Sequence, residues 1–319
     1  MHTEKFTARD VALIGGSTCD ITGVLLGEPH GSDSNPSRIH TSHGGVGRNI
    51  AENLARLGLK VRFVSAFGTD AFSDELIAFC EALGMDTRLS YIKEGARACT
   101  YIDLLDAKGE LLLAASDMST MEEFPLDLLA NAVKRLNAHK LTVLDANLTE
   151  DALRCVAEHS ESLLLGETVS ITKAKRFRAI LPRLYAVKAN AGELAALTGR
   201  RVESERDIAC ACADLLAAGV KRVFVTMGRN GAFCADGGGT TRTPGFPAEV
   251  CSVTGAGDAF CAAIAYGILR DLPTEDMLLL GAAMSRITLK SPFAVSREMS
   301  ESEALRVKDA LAADPPTLL

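Results

Sequence analysis

The chain has 319 residues, of which 47% are hydrophobic and only 5% aromatic, so a sizeable core must be built mainly from aliphatic side chains. The formal net charge is −7 and no run of lysine and arginine forms a stripe, which argues against binding nucleic acid or an anionic membrane by bulk electrostatics. The polar N-terminus leads into too short an apolar run for a signal segment, so we expect a cytoplasmic protein. Nine scattered cysteines without a C-x-x-C pair predict buried, reduced thiols.

Short aliphatic runs alternate along the chain with longer stretches of helical periodicity. The runs predicted as buried strands are Val11–Gly16, Val61–Gly68, Leu141–Asp145, Leu163–Leu165, Leu184–Lys188 and Val223–Met227. The stretches predicted as helices are Val46–Leu57, Asp74–Leu83, Leu126–Asn137, Glu150–His159, Asp207–Ala218, Gly255–Leu269, Thr274–Leu289 and Glu303–Leu311. Repeated β-then-α units predict a parallel sheet with helices on both faces, in which ligands collect at the carboxyl ends of the strands.

Two segments, 21–43 and 97–117, interrupt this alternation. The second contains two apolar runs on either side of the turn Asp106-Ala107-Lys108-Gly109, a pattern that predicts a β-hairpin. Strands from both segments could form one small sheet beside the main domain. Such a sheet would act as a lid that excludes water from an active site, or it would be an ordinary edge hairpin.

The segment Val253-Thr254-Gly255-Ala256-Gly257-Asp258 precedes an apolar run that predicts a helix. Its small residues allow a tight turn with bare backbone N–H groups, and at a helix N-terminus these groups favour a phosphate or a developing oxyanion. Asp258 falls in the first helical turn, where its carboxylate could take a proton from a hydroxyl group. The segment therefore suggests phosphoryl transfer to an alcohol, with a glycine-rich loop capped by an aspartate as the alternative.

A second glycine-rich segment, His43-Gly44-Gly45-Val46-Gly47-Arg48-Asn49, precedes the helix that begins near residue 46. The Gly44-Gly45 pair permits either close approach of a ligand or a hinge, and the Asn49 amide could bond a ligand hydroxyl. The segment is not a Walker P-loop, and it lacks the pattern of a dinucleotide-binding fingerprint.

Together, Gly44-Gly45 with Asn49 and Thr254-Gly255-Ala256-Gly257-Asp258 resemble the paired signatures of the ribokinase-like (PfkB) carbohydrate kinase family, in order and in separation. The resemblance covers essentially the whole chain. It implies one α/β domain over residues 1–319, a ribokinase-like three-layer α/β/α sandwich with a central, mostly parallel sheet and a small β-sheet lid formed by segments 21–43 and 97–117. It also implies ATP as the donor and Mg²⁺ as the bridging ion. Asp258 would be the general base, and the backbone of Gly255, Ala256 and Gly257 would form the anion hole.

The resemblance extends to further positions around the donor. Asn190 and Glu193 are similar to the N-x-x-E motif that organises Mg²⁺ through water, although the same pair could form a helix capping box, and both roles could hold at once. The residues implied in ATP binding are Asn190, Thr226, Gly228, Gly231, Thr254 and Gly281. Gly281 is placed in the adenine pocket wall, with helix packing as its alternative.

Within the family the resemblance is greatest to the bacterial pseudouridine kinases. It implies that Asp20 and Asn49 hold the ribose, that uracil faces the lid, and that the product is pseudouridine 5′-phosphate. The implied substrate-binding residues are Asp20, Ser34, Asn35, Gly44, Gly45, Asn49, Asp117 and Lys173. The alternatives are a kinase for a free sugar or another nucleoside, such as ribose, fructose or adenosine, and a non-catalytic sugar or nucleoside sensor on the same fold.

Three residues depart from the pattern. Glu167 stands where the subgroup has aspartate, and Ala189 replaces the proline usual before Asn190. Ser252 stands where many members have Asp or Asn, a position linked to a monovalent cation, so activation by K⁺ is left open. The resemblance finally implies a homodimer formed through the lid; the aliphatic hairpin is compatible with that, and a lid face that packs on the substrate would give the same pattern.

Overall fold

A computed structural model describes residues 10–313 of the chain. The strands of this range are β1 (Asp10–Ile14), β2 (Thr18–Leu25), β3 (Ser37–Gly44), β4 (Lys60–Val64), β5 (Ala66–Phe67), β6 (Tyr91–Ile92), β7 (Thr100–Leu105), β8 (Leu111–Asp117), β9 (Leu141–Asp145), β10 (Leu163–Glu167), β11 (Leu184–Asn190), β12 (Arg222–Thr226), β13 (Ala232–Asp236) and β14 (Gly239–Thr243). The α-helices are α1 (Val46–Arg56), α2 (Ala71–Ala82), α3 (Ser119–Glu122), α4 (Leu126–Leu136), α5 (Glu150–His159), α6 (Ile171–Ala174), α7 (Ala191–Thr198), α8 (Glu205–Ala217), α9 (Ala256–Leu269), α10 (Thr274–Leu289) and α11 (Glu301–Ala313). Two 3₁₀ helices cover Lys175–Arg183 and Gly228–Asn230.

The main sheet has eight strands in the order β14-β13-β12-β11-β10-β9-β1-β4. Pairing is parallel from β4 to β12, whereas β13 and β14 are antiparallel. This confirms the predicted mostly parallel sheet. The prediction of one strand over Val61–Gly68 was wrong, because the strand in the main sheet ends before Ser65. There the backbone N–H donates to Ser90 Oγ at 3.1 Å, and Ala66–Phe67 pairs with β6 instead.

Helices cover both faces of the main sheet, as the aliphatic strands require. Along β1 the side chains alternate, so that Val11 and Leu13 join one apolar cluster while Ala12 and Ile14 join the other. The first cluster is completed by α1, α9 and α10, and the second by α4, α5 and α8. Two cores separated by one sheet give the predicted three-layer α/β/α arrangement.

A separate four-stranded sheet, in the order β3-β2-β7-β8, stands beside the main domain. Its strands come from the two segments that interrupt the alternation, and β2 and β3 reach slightly further than predicted, to Thr18 and Gly44. Because side chains alternate along a strand, this small sheet has two different faces. The inner face is defined by Asp20, Thr22, Ser42, Tyr101, Asp103 and Ser116. The outer face is defined by Ile21, Ile39, Ile102, Leu104 and Leu113.

None of the helices within residues 10–313 is long and apolar enough to cross a membrane. The nine cysteines all lie within the described residues, and none of them forms a disulfide there. Seven of them are buried as expected. The exceptions, Cys210 and Cys251, are exposed.

Candidate active site

The carboxyl ends of β1, β9, β10, β11 and β12 meet at one edge of the main sheet, because these strands are parallel. Polar or glycine residues lie at each of these ends, and α9 begins beside them. This edge is where a parallel α/β sheet normally binds its ligands.

The N-terminus of α9 is shaped by Gly255. Gly255 has φ +81°, and a Cβ there would lie 1.8 Å from the backbone oxygen of Ala294, so both the conformation and the space require glycine. Ser285 Oγ donates to the Ala256 backbone oxygen at 2.8 Å and ties this turn to α10. No side chain caps α9, so its first-turn N–H groups are available to an anion.

Asp258 lies in this first turn and is only 8% exposed. Its Oδ2 accepts a hydrogen bond from Asn49 Nδ2 at 2.7 Å, across 209 residues of sequence. Burial raises the pKa of Asp258, while the Asn49 hydrogen bond and the Lys188 charge act in the opposite direction. A buried carboxylate with a raised pKa is a better proton acceptor than an exposed one.

Asp20, on the inner face of the small sheet, is fitted against Gly44. A Cβ on Gly44 would lie 1.9 Å from Asp20 Oδ2, so glycine at this position makes room for the carboxylate. Thr18 Oγ1 donates to Asp20 Oδ1 at 2.5 Å. Burial raises the pKa of Asp20 to about 6, and the charges of Asp103 and Asp258 act in the same direction. The structure thus places Asp20 and Asp258 in one electrostatic environment.

The turn between β3 and α1 is packed tightly against the end of β1. Gly45 has φ +92°, and its Cβ would lie 2.6 Å from the Gly16 backbone oxygen. A Cβ on Gly47 would lie 2.8 Å from the backbone carbon of Gly15. These contacts hold the start of α1, and with it Asn49, beside the main sheet edge.

A polar network that sequence reasoning missed fills the centre of this edge. Asp145 is fully buried and accepts hydrogen bonds from Gly16 N at 2.9 Å and from both nitrogens of Asn147, at 2.9 and 3.0 Å. Asn147 Oδ1 in turn accepts from Lys173 Nζ at 2.6 Å, and burial lowers the pKa of Lys173. The signal was present in the sequence, since Asp145-Ala146-Asn147 follows directly on a buried strand.

A buried ion pair, also missed, lies under the anion-binding turn. Lys188 Nζ is 3.2 Å from Glu167 Oε1, and both side chains are almost completely buried. A Cβ on Gly257 would lie 2.9 Å from Lys188 Nζ, so the ammonium group sits directly behind the first turn of α9. Burial raises the pKa of Glu167, and the charges of Glu193 and Asp258 act in the same direction, while the Lys188 charge acts against them.

A cavity of about 620 Å³ lies beside this edge and is lined by several predicted ATP-binding residues, among them Asn190, Thr226 and Gly228. Gly231 closes the turn below it with φ +91°, and a Cβ there would lie 2.1 Å from the Thr243 backbone oxygen. Thr254 is exposed in the loop before α9. The cavity wall also includes residues that the sequence did not suggest: Ser204, Glu205, Asn230 and Arg242.

Asn190 and Glu193 form the capping box of α7. Asn190 Oδ1 accepts from Glu193 N at 2.9 Å, and Glu193 Oε2 accepts from Asn190 N at 2.8 Å and from Thr168 Oγ1 at 2.7 Å. Glu193 Oε1 takes no part in this box. Residues 10–313 contain no group of three or more His, Cys, Asp or Glu side chains suited to hold a metal directly. An ion held mainly through water, as Mg²⁺ often is, fits this oxygen-rich helix start.

Four predicted residues lie elsewhere than expected. Ser34 and Asn35 are in the β2–β3 loop, beyond the five residue pairs that separate Asp20 from Leu25 at the end of β2. The Asn35 amide is engaged within that loop, with His30 and Asp33.

Asp117 projects from the outer face, in the pair next to that of Asp20, and accepts from Ser119 N. Gly281 is buried in α10, where a Cβ would lie 2.6 Å from the Phe260 ring. It therefore packs α10 on α9 and does not line the ATP-side cavity.

Comparison with known proteins is consistent with this geometry. The model of the pfkB family carbohydrate kinases matches residues 8–298. A pseudouridine kinase from Escherichia coli is 29% identical over 292 residues, which are 91% of this chain and 93% of that protein.

A carbohydrate kinase structure from Agrobacterium tumefaciens superposes with a TM-score of 0.82 at 28% identity, covering 94% of this chain and 97% of the other. An Arabidopsis thaliana ribokinase complexed with ribose and ATP has a TM-score of 0.81 at 20% identity, covering 93% and 98%, and shows the shared fold.

Proposed function

Because the chain belongs to the pfkB family of carbohydrate kinases, and is therefore a phosphotransferase acting on a hydroxyl group, we propose that it phosphorylates the 5′-hydroxyl of pseudouridine with ATP. The observation that carries this proposal is the buried Asp258 at the open N-terminus of α9, hydrogen-bonded to Asn49 and close to Asp20. The similarity to a pseudouridine kinase over 91% of the chain supports the acceptor.

In the proposed reaction, the 5′-oxygen forms a bond to the γ-phosphorus of ATP while the bond from that phosphorus to the bridging oxygen breaks, releasing ADP. Asp258 takes the proton of the 5′-hydroxyl. The N–H groups of Gly255, Ala256 and Gly257 stabilise the charge on the transferring group, and Lys188 behind Gly257 adds a positive potential. Asp20 accepts hydrogen bonds from the sugar hydroxyls, for which a two-oxygen acceptor is suited.

We assign donor binding to the cavity that Asn190, Thr226 and Gly228 line, with Gly231 and Thr254 shaping its edges. Mg²⁺ would be organised through water by Glu193 and Asn190. When bound, it would neutralise part of the charge on the donor phosphates. Ser252, at the position linked to a monovalent cation, accepts a hydrogen bond from Thr254 N at 3.2 Å in the loop before α9. Whether the activity depends on K⁺ is to be tested by exchanging K⁺ for Na⁺ in the assay.

On the inner face, Asp103 is a better candidate for recognising the base than Ser34 or Asn35. Asp103 is two residues beyond Tyr101 on β7, so both side chains are on the inner face, and Tyr101 is the pairing partner of Asp20. Asp103 Oδ1 is buried without a hydrogen-bond partner. A carboxylate is an acceptor only, so this atom calls for an N–H or O–H donor from a ligand. Pseudouridine has a free N1–H where uridine has its glycosidic bond. Asp103→Asn should therefore reduce the preference for pseudouridine over uridine.

A kinase for a free sugar or for another nucleoside is the second candidate, and one observation favours it. Ser34 and Asn35, which the resemblance assigns to the uracil edge, lie in the β2–β3 loop beyond the last β2–β3 pair, and the Asn35 amide is bonded to His30 and Asp33 within that loop. A site that lacks these contacts within the chain would hold the sugar without reading the base closely. Lys173, held by Asn147, would then meet a sugar oxygen.

The test is an ADP-release assay with pseudouridine, uridine, ribose, fructose and adenosine as acceptors. We expect turnover to be highest with pseudouridine and to fall about 10³-fold in Asp258→Asn, within the range of general base catalysis, while ATP still binds. Turnover with ribose but not pseudouridine would refute the acceptor. Absence of turnover together with tight ligand binding would indicate a sensor.

We also propose a homodimer formed through the outer face of the small sheet, with the sheet acting as a lid over the site. Ile39, Leu104 and Leu113 lie in one row across the four strands, and Ile39 and Leu113 are 72% and 65% exposed. Such a contiguous apolar row is typical of an interface. Leu113→Glu should shift the mass measured by light scattering from dimer to monomer, while Leu128→Glu on α4 should not.

Nine unpaired thiols further support a cytoplasmic location.

A further inference from the structure

We propose that Arg48 is a positioning residue for phosphoryl transfer, which turns the Asn49 amide toward Asp258 and fixes the junction of the small sheet with α1. The inference rests on the function proposed above, in which Asp258 is the general base. Arg48 is 2% exposed, so its guanidinium is almost entirely enclosed by protein. An arginine buried to this degree must have its charge and its donors satisfied by fixed partners.

Every nitrogen of the guanidinium has such a partner. Nε donates to the Gly44 backbone oxygen at 3.0 Å, and Nη2 donates to the His43 backbone oxygen at 2.8 Å. Nη2 also donates to Asn49 Oδ1, and Nη1 pairs with Glu52. One rigid fork therefore holds two consecutive backbone carbonyls, an amide and a carboxylate at once.

The contact with Asn49 decides which way its amide faces. A primary amide has an acceptor oxygen and a donor nitrogen at opposite edges of one plane. With Oδ1 held by Arg48, Nδ2 points to Asp258 and donates to Oδ2 at 2.7 Å. A flipped amide would set its NH₂ against the guanidinium and its oxygen against the carboxylate, which is repulsive on both sides. Arg48 thus selects the rotamer that supports the base.

The backbone contacts connect the same arginine to the acceptor side. Gly44 ends β3 and gives room to the Asp20 carboxylate, while His43 precedes it on the same strand. Arg48 therefore fixes the strand end next to Asp20 and the amide next to Asp258 in one unit. Glu52 anchors this unit, since it also accepts from Arg56 at 2.8 Å one helical turn further along α1.

Lysine at position 48 would keep the charge but not this geometry. An ammonium group offers three donors from a single point, whereas the contacts of Arg48 spread over the breadth of a planar fork. In Arg48→Lys the Asn49 Oδ1 would lose the fixed donor that holds it. The charged groups near Asp258 would otherwise be unchanged: Asp20, Asp145, Glu167 and Lys188.

The experiment compares Arg48→Lys with Arg56→Lys, a matched control on the same helix that binds the same Glu52 but does not touch Asn49. We expect Arg48→Lys to lower kcat by up to about 100-fold, the cost typical of a displaced catalytic group. We also expect the acid limb of the pH–rate profile to move to higher pH, because Asp258 loses a hydrogen bond that favours its charged form. Arg56→Lys should leave both unchanged.

A double-mutant cycle with Asn49→Ala tests whether Arg48 acts through Asn49. In the Asn49→Ala background, Arg48→Lys should change kcat by no more than about twofold, because the group it positions is gone. An equal loss in both backgrounds, or a uniform fall in rate with no movement of the acid limb, would overturn the proposal. If Arg48→Lys fails to fold, Glu52→Asp, which keeps the charge but withdraws the carboxylate from the guanidinium, should move the limb the same way. Wild-type rates in Asp258→Asn would instead refute the proposed role of Asp258 as general base, and turnover with ribose but not pseudouridine would refute the proposed acceptor.

Discussion

Gly44→Ala should displace the acceptor-binding carboxylate without disturbing the donor side. The added Cβ would lie 1.9 Å from Asp20 Oδ2, whereas ordinary contact begins near 3.4 Å, so the carboxylate must move by about 1.5 Å. Gly44 does not have a positive φ, so alanine brings no backbone strain and the collision is the whole perturbation. A displacement of about 1 Å at a positioned group costs roughly 100-fold in efficiency, and we expect kcat/KM for the acceptor to fall by at least that factor.

The assay is steady-state ADP release with the acceptor and ATP varied separately. KM for ATP should stay near the wild-type value, because the ATP-side cavity lies across the sheet edge from Asp20. Gly27→Ala is the matched control, since it lies in the β2–β3 loop, has no positive φ and finds no atom within 4 Å of an added Cβ. An acceptor KM that does not change in Gly44→Ala would refute the assignment of Asp20 to acceptor binding.

Three further predictions concern other parts of the site. Acceptor affinity, measured by equilibrium binding without ATP, should fall as pH drops through about 6, because Asp20 then gains a proton and loses acceptor capacity. In Asp20→Asn the affinity should be low and should not depend on pH. If that variant kept the pH dependence of the wild type, Asp20 would not be the group that binds the acceptor. Gly281→Ala should lower the free energy of unfolding by about 1–3 kcal/mol, because its Cβ meets the Phe260 ring at 2.6 Å, and a changed KM for ATP without loss of thermal stability would restore its predicted place in the nucleotide wall. Glu193→Gln should raise the Mg²⁺ concentration needed for half-maximal rate while the Asn190 cap keeps α7 folded by circular dichroism; an unchanged requirement would leave Glu193 with its capping role alone.

Local patterns were sufficient to predict much of the fold. The strands β9, β10 and β11 are short aliphatic runs buried on both faces, and that composition has few other structural solutions. The turn before α9 was equally readable, because Gly255 is needed both for its positive φ and for the space beside Ala294. Strands β13 and β14 were missed, since the apolar run Ala-Phe-Cys-Ala contains no β-branched residue and Gly-Thr-Thr-Arg-Thr contains no residue with a fully apolar side chain.

Contacts between distant segments were beyond the reach of the sequence. Nothing local to Lys188 indicates that its ammonium group lies behind Gly257, 69 residues away along the chain. The same is true of Asp145 beneath Gly16, a pair separated by 129 residues. Ser34 and Asn35 were assigned to the acceptor site through the family resemblance, and the sequence did not indicate that both would fall in the loop beyond the last β2–β3 pair.

Because side chains alternate along each strand of the small sheet, one strand register decides which residues lie on both of its faces. Along β7, Tyr101 and Asp103 belong to the inner face while Ile102 and Leu104 belong to the outer face. If the inner face binds the acceptor and the outer face forms the dimer, as we propose, neighbouring positions along β7 serve different functions. Point substitutions can retune either property alone, but deleting one residue within β7 would exchange the faces downstream and remove both together. Evolution of acceptor specificity in this scaffold should consequently proceed by substitution within the strands and by changes of length only in their loops.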